Sequence, residues 1–163
     1  NSAGLALRWY QNERREYQFS LQPSEFSDGN RRLEFQLAGK ERLWTAPRFS
    51  LDFTPEVSAS RNSQQEVAYY SPDADLAVLP GLSLNHQIYQ HYDTEWTQQI
   101  VAGAGVYQQD HYGRGTLLRL GYGQRVQWNQ RFETGAMLTW GRQPWDGQYE
   151  NTLSAQFDMT LRF

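Results

Sequence analysis

Leu153-Ser-Ala-Gln-Phe-Asp-Met-Thr-Leu-Arg-Phe163 alternates apolar and polar residues without a break. Successive side chains of a β-strand point to opposite faces. Leu153, Ala155, Phe157, Met159, Leu161 and Phe163 therefore share one face, and Ser154, Gln156, Asp158, Thr160 and Arg162 the other. A strand with lipid on one side and water on the other must read this way. One strand of a soluble sandwich can read so too, and the class is decided by whether the pattern recurs.

It recurs along the whole chain. Outward candidates are Leu5/Leu7/Trp9, Tyr17/Phe19/Leu21, Leu33/Phe35/Leu37 and Phe49/Leu51/Phe53, then Leu76/Val78/Leu82/Leu84, Ile100/Ala102/Ala104/Val106, Leu118/Leu120/Tyr122 and Phe132/Ala136/Leu138/Trp140, before the closing strand. Period two over about nine segments predicts an all-β fold, with a tolerance of eight to ten strands. Helical spacing is nowhere sustained, and Pro55, Pro72, Pro80 and Pro144 interrupt most helical windows. The short connections expected are Gln11–Arg15, Ala38–Glu41, His91–Thr94 and Trp128–Gln130. The alternate ones, Pro23–Asn30, Thr54–Ala74, Gln108–Gly115 and Gln143–Tyr149, read as longer. Outer-membrane barrels join their strands with tight periplasmic turns and longer extracellular loops, so an antiparallel transmembrane β-barrel is expected over residues 1–163.

Strand polarity adds a further expectation. If the last strand runs down to the periplasm, counting back nine makes the first run down as well, whereas a bacterial barrel normally starts upward. The chain then reads as the C-terminal portion of a larger barrel, and the absence of an initiator Met and of a basic-apolar leader fits a mature or excised chain.

Composition is compatible with this architecture. Mean hydropathy is −0.79, and no stretch approaches the roughly 20 apolar residues of a transmembrane helix. A barrel exposes only every second residue to lipid, so a polar average with 15% aromatics is permitted. Eighteen acidic against fifteen basic residues give no electrostatic case for nucleic acid. The absence of cysteine neither demands nor excludes an oxidising compartment, since a barrel closed by hydrogen bonds needs no staples. Trp9, Tyr10, Trp44, Tyr89, Tyr92, Trp96, Tyr107, Tyr112, Trp128, Trp140 and Trp145 fall near strand ends, as the interface girdles of a membrane barrel would.

Gly121-Tyr-Gly-Gln-Arg-Val-Gln-Trp-Asn129, Glu133-Thr-Gly-Ala-Met-Leu-Thr-Trp140, Pro144-Trp-Asp-Gly147 and the closing strand together resemble the end of the poly-N-acetylglucosamine export porins of Gram-negative biofilm formers, the PgaA family. Tyr69-Tyr-Ser-Pro72 is similar as well; the first sixty residues resemble the family only in pattern. The resemblance implies an outer-membrane barrel of about sixteen strands. It also implies a periplasmic helical-repeat domain and earlier strands in the full-length protein, and a partly de-N-acetylated, weakly cationic glucosamine polymer as cargo.

On that partition the inward face carries Arg8, Tyr10, Glu16, Gln18, Arg32, Glu34, Gln36, Ser50, Asp52, Asn85, Gln87, Gln99, Tyr107, Arg119, Arg125, Glu133, Gln156, Asp158 and Arg162. Glu34, Asp52, Gln99, Tyr107, Arg119, Arg125, Glu133, Gln156 and Asp158 are the candidates for lining the pore and touching polysaccharide. Amides, hydroxyls and rings bind sugars weakly at many points, as a conduit requires. The carboxylates either attract ammonium groups on the polymer or pair with inward arginines. Inward Gly103, Gly105, Gly121, Gly123 and Gly135 either leave room for cargo or let the wall bend. Two other readings compete: a small-barrel hydrolase or acyltransferase with His111 or His86 as base, and a soluble carbohydrate-binding sandwich. No Gly-x-Ser-x-Gly or His-Glu-x-x-His motif occurs. Asp28-Gly29 and Asp146-Gly147 read as turns, not cation ligands, so no cofactor or metal is expected.

Overall fold

A computed structural model describes residues 2–64 and 73–163; Tyr69-Tyr-Ser-Pro72 lies outside them. Among the described residues the chain forms eleven strand segments in one antiparallel sheet. They are β1 (Leu5–Asn12), β2 (Arg15–Glu25), β3 (Arg31–Ala46), β4 (Phe49–Phe53), β5 (Glu56–Asn62), β6 (Ala74–Leu79), β7 (Gly81–His91), β8 (Thr94–Gln109), β9 (Gly113–Gln127), β10 (Phe132–Trp145) and β11 (Gln148–Leu161).

The eleven segments make nine strands. β4 and β5 both pair with β3, and the register is the same on either side of the break, at Arg42↔Asp52 and Ala38↔Glu56; it shifts by one residue further along, between Arg42 and Trp44. β6 and β7 likewise share a register against β8, at Val78↔Val106 and Gly81↔Gly103. Each break falls at a proline, which has no N–H to give the ladder. The ladder otherwise continues: Thr54 N–H donates to Gly81 O at 2.8 Å, Gly81 N–H returns a bond to Thr54 O at 3.1 Å, and the carbonyls of Pro55 and Pro80 accept from Gly39 and Ala104. Pro55 thus falls opposite Pro80, and the two interruptions line up across the wall.

The distribution of burial is inverted relative to a soluble protein. Phe157 is 72% exposed, Leu153 70% and Leu120 55%, with Leu7, Leu33, Leu82, Ile100 and Leu138 similarly open on the same face. The buried positions are polar: Asn30, Asp52, Ser60, Asn62, Ser83 and Gln109, beside two apolar ones, Leu79 and Leu117. A water-soluble sandwich would bury its apolar face and would not expose contiguous patches of this kind.

Four expected connections change, the simplest being Gln108–Gly115, which shortens to residues 110–112 between β8 and β9. Ala38–Glu41 is not a turn, because β3 runs straight through to Ala46 and turns at Pro47-Arg48. Gly39-Lys40 resembles turn chemistry, but Gly39 is needed for closeness: a Cβ there would stand 2.6 Å from the Tyr17 ring. At the other end, Gln143–Tyr149 tightens to a two-residue hairpin at Asp146-Gly147, both at positive φ (46° and 77°), the geometry a type I′ turn demands. Residues 56–62 of the expected Thr54–Ala74 loop are strand β5. Among the described residues the one longer connection at one end is 26–30, with 110–112 and 146–147 short, against two-residue turns at 13–14, 47–48 and 92–93 and a four-residue turn at 128–131; the link between β5 and β6 lies partly outside the described residues. The first group marks the loop end of the wall and the second the turn end.

At the turn end Trp9, Trp44, Tyr89, Tyr92, Trp96 and Trp128 form an exposed aromatic band. Tyr10 and Tyr107 face inward and Trp140 sits at mid-height opposite Leu120 and Leu153, so these three are not girdle residues. The tightest backbone approach is at Gly105, where a Cβ would lie 2.0 Å from the Val78 carbonyl oxygen and 2.8 Å from Leu79 Cα. Backbone cannot yield as a side chain can. Gly105→Ala is expected to cost about 3 kcal/mol or more, read as loss of heat-modifiable migration on a gel, while Gly4→Ala, with 3.7 Å to its nearest neighbour, leaves migration unchanged.

Candidate functional site: the inward wall

The face opposite the apolar belt is a polar wall held by ion pairs between strands. Strand alternation places Asp52 on β4 inward, and pairing with β3 brings Arg42 and Lys40 beside it. Arg42 Nε and Nη2 both donate to Asp52, Lys40 Nζ stands 3.6 Å away, and Asn85 Nδ2 donates at 3.2 Å. Asp52 is 1% exposed. Such a carboxylate is tolerated only because each oxygen has a partner.

Glu133 is held in the same way by Arg125 at 2.5 Å and Arg162 at 3.5 Å. Arg8 grips Glu16 at 2.6 Å, and Arg32 grips Glu34 at 2.9 Å. The longest reach is that of Arg119 on β9, which spans β8 and β6 to meet Glu56 on β5 at 2.5 Å. Leu79 and Leu117 fill the floor beneath it, on either side of Gly105. Glu34, Asp52 and Glu133 thus have cationic partners within the wall. Sequence spacing could not reveal these partners, because Arg119 and Glu56 lie 63 residues apart.

The other candidates divide by partner. Gln99 donates to Ser83 Oγ at 2.8 Å, and Tyr107 OH donates to Asp75 at 3.2 Å. Asp75 also accepts from Ser60 N–H and has no cation within ion-pair distance among the described residues. Asp158 lies across Gly135, where a Cβ would be 2.6 Å from its carboxylate, and forms no ion pair among the described residues. Gln156 stands beside it on the same inward groove, with Asn85, Gln99, Arg125 and Met137.

The glycines of this wall are floors for neighbouring side chains. Met137 lies over both Gly121 and Gly123, its Cε and Sδ each 2.7 Å from where a Cβ would be. The space their missing side chains leave is occupied from the next strand and is not free for cargo. That interlock was legible only in part: glycine on the inward parity is visible in sequence, and the occupant is not.

The three histidines are far apart. His86 faces outward, stacked on Phe49 at 4.1 Å between ring centres and 2.9 Å from Gln98 Nε2. Tyr122 and Gln124 extend that chain along the outer face. His91 contacts Tyr92 at the turn end, and His111 pairs with Asp73 at 3.3 Å at the loop end.

Removing Asp52 leaves Arg42 and Lys40 facing each other without a counter-charge. Asp52→Leu should destabilise the barrel by about 2 kcal/mol in detergent unfolding, and Arg42→Met in the same chain should recover part of the loss.

Comparison with known proteins agrees with the geometry. The family model for the PgaA membrane beta barrel domain matches residues 1–163. The chain is 41% identical, over its whole length, to the poly-beta-1,6-N-acetyl-D-glucosamine export proteins of Escherichia coli K12 and O157:H7. It spans 20% of the length of those relatives. A solved structure described as a bacterial polysaccharide outer membrane secretin superposes with a TM-score of 0.94 at 41% identity, over 99% of this chain and 56% of that one. An inverted β-wall with an apolar exterior, matched from end to end, places this chain in the PgaA membrane β-barrel domain family.

Proposed function

We propose that this wall is the C-terminal part of an outer-membrane porin that exports partly de-N-acetylated poly-β-1,6-N-acetyl-D-glucosamine. The observation that carries the reading is the continuous polar inward face of amides, hydroxyls and paired charges, set behind an apolar exterior. Two features support a larger ring. β1 and β11 are the edges of the sheet and do not pair with each other. An eight-strand closure would leave an interior filled by its own side chains, with no channel for a polymer. Further strands and a periplasmic domain of the same full-length protein complete the conduit, and lipid surrounds it.

Within this reading the inward residues have two tasks. Glu34, Asp52, Glu133 and Arg119 are paired with Arg32, with Arg42 and Lys40, with Arg125 and Arg162, and with Glu56, and these pairs hold the wall, offering the cargo only their remaining lone pairs and N–H groups. Gln99, Tyr107, Gln156 and the carboxylates of Asp158 and Asp75 supply weak contacts for a hydrated sugar chain bearing occasional ammonium groups, because neither Asp75 nor Asp158 forms an ion pair among the described residues. Many weak contacts suit transit better than one strong site, since a held polymer cannot leave. The reading is one of transport and not catalysis: His86 points to the lipid side, and His91 and His111 stand at opposite ends of the wall.

Full-length protein carrying Asp75→Asn and Asp158→Asn together should show a several-fold drop in polymer at the cell surface by immunoblot, with the amount of heat-modifiable barrel unchanged. Undiminished export from equally abundant barrel would show that these carboxylates do not meet the cargo.

A further inference from the structure

The two rims of the apolar belt differ in chemistry. The turn end carries the outward aromatic band of Trp9, Trp44, Tyr89 and Trp96. At the loop end, beside exposed Phe26, Tyr112 and Tyr149, strand parity puts four arginines on the outward face. Arg31 opens β3, Arg61 nearly closes β5, Arg114 nearly opens β9, and Arg142 lies in the last outward positions of β10. All four are exposed. The register Leu33↔Arg61 makes Arg31 and Arg61 diagonal neighbours on adjacent strands, about 7–8 Å apart.

Among the described residues Arg31 pairs with Glu25 at 3.4 Å, whereas Arg61, Arg114 and Arg142 form no ion pair. Asp110 lies in line with Arg61 across Ala74, with no ion pair among the described residues. Arg114 donates to Gln108, a neutral amide, at 3.2 Å. Arg142 stacks over the Tyr149 ring at 4.2 Å, which fixes the guanidinium plane and leaves its N–H fork open. This positive band belongs to a chain whose formal net charge is −3.

Guanidinium groups at the boundary of a hydrocarbon belt, on the lipid side and at the extracellular end, meet lipid headgroups. Their planar forks match phosphate oxygens better than any other common side chain does. We propose that Arg61, Arg114 and Arg142, with Arg31 beside them, form a collar that binds the phosphorylated headgroups of outer-leaflet lipid. The ligand is a phosphorylated glycolipid of the lipid A type, and the collar fixes the height of the barrel in the membrane. This inference uses the outward face and the orientation of the wall, and is independent of what passes through the lumen.

The test uses full-length protein in detergent, titrated with bisphosphorylated lipid A and with its dephosphorylated form, and read by native mass spectrometry. Wild-type protein should favour the phosphorylated lipid by about tenfold or more. R61Q/R114Q/R142Q together should abolish that preference, and R14Q/R48Q/R131Q at the turn end should keep it. Equal binding of the two lipids by the wild type, or a preference that survives in the rim variant, overturns the proposal. Displacement of the lipid by millimolar inorganic phosphate would also overturn it, by reassigning the site to a free anion. If the rim variant fails to assemble, the wild-type comparison between the two lipids still decides.

Discussion

Hydrocarbon offers no partner for a backbone amide, and this constraint organises the whole wall. Each N–H and C=O in the belt must bond to a neighbouring strand, because an unpaired group there costs several kcal/mol. The consequence is visible where the sequence is least cooperative. At Pro55 and Pro80 a donor is missing, yet the flanking Thr54–Gly81 pair exchanges both of its bonds, and each proline carbonyl still accepts from the strand beside it. Register is kept across both breaks. With the ladder satisfied, side chains divide by parity alone, grease to one side and polar groups to the other.

The inward half of that partition meets a second requirement, since polar side chains facing a channel must be satisfied without closing it. The wall does this by laying side chains flat. Met137 covers Gly121 and Gly123, Asp158 covers Gly135, and Arg119 stretches to Glu56 over two intervening strands. Each large side chain rests on a position where the neighbouring strand has given up its own. Charges are likewise absorbed laterally: Asp52 and Glu133 each receive two cationic neighbours from within the sheet. The inward surface is thus mostly amide, hydroxyl and aromatic, with Asp75 and Asp158 as carboxylates that form no ion pair among the described residues.

Much of this architecture was legible in the sequence, because period-two alternation and the ladder constraint are the same fact seen at two scales. The nine outward stripes from Leu5 to Phe163 match nine strands, and the register puts Glu34, Asp52, Gln99, Tyr107, Arg119, Arg125, Glu133, Gln156 and Asp158 on one face of the sheet. Legibility failed where one residue type serves two purposes. Gly39-Lys40 resembles a turn because glycine permits one, but there it makes room for the Tyr17 ring. Pro144-Trp-Asp-Gly147 resembles a loop, although two residues suffice once Asp146 and Gly147 both take positive φ. Partners across strands, such as Glu56 for Arg119, depend on register summed over several hairpins, so an error of one residue in any turn would misassign them. The arginine rim is visible in parity, but only once each strand's loop end is known.

The facing prolines carry a consequence for how the wall bends. A sheet flexes most easily where its cross-links are fewest, and here two adjacent staves lose a link at one height. Bending is expected to be easiest along that crease. A ring that includes such a hinge line would yield there first under load, as a folded sheet opens at its fold.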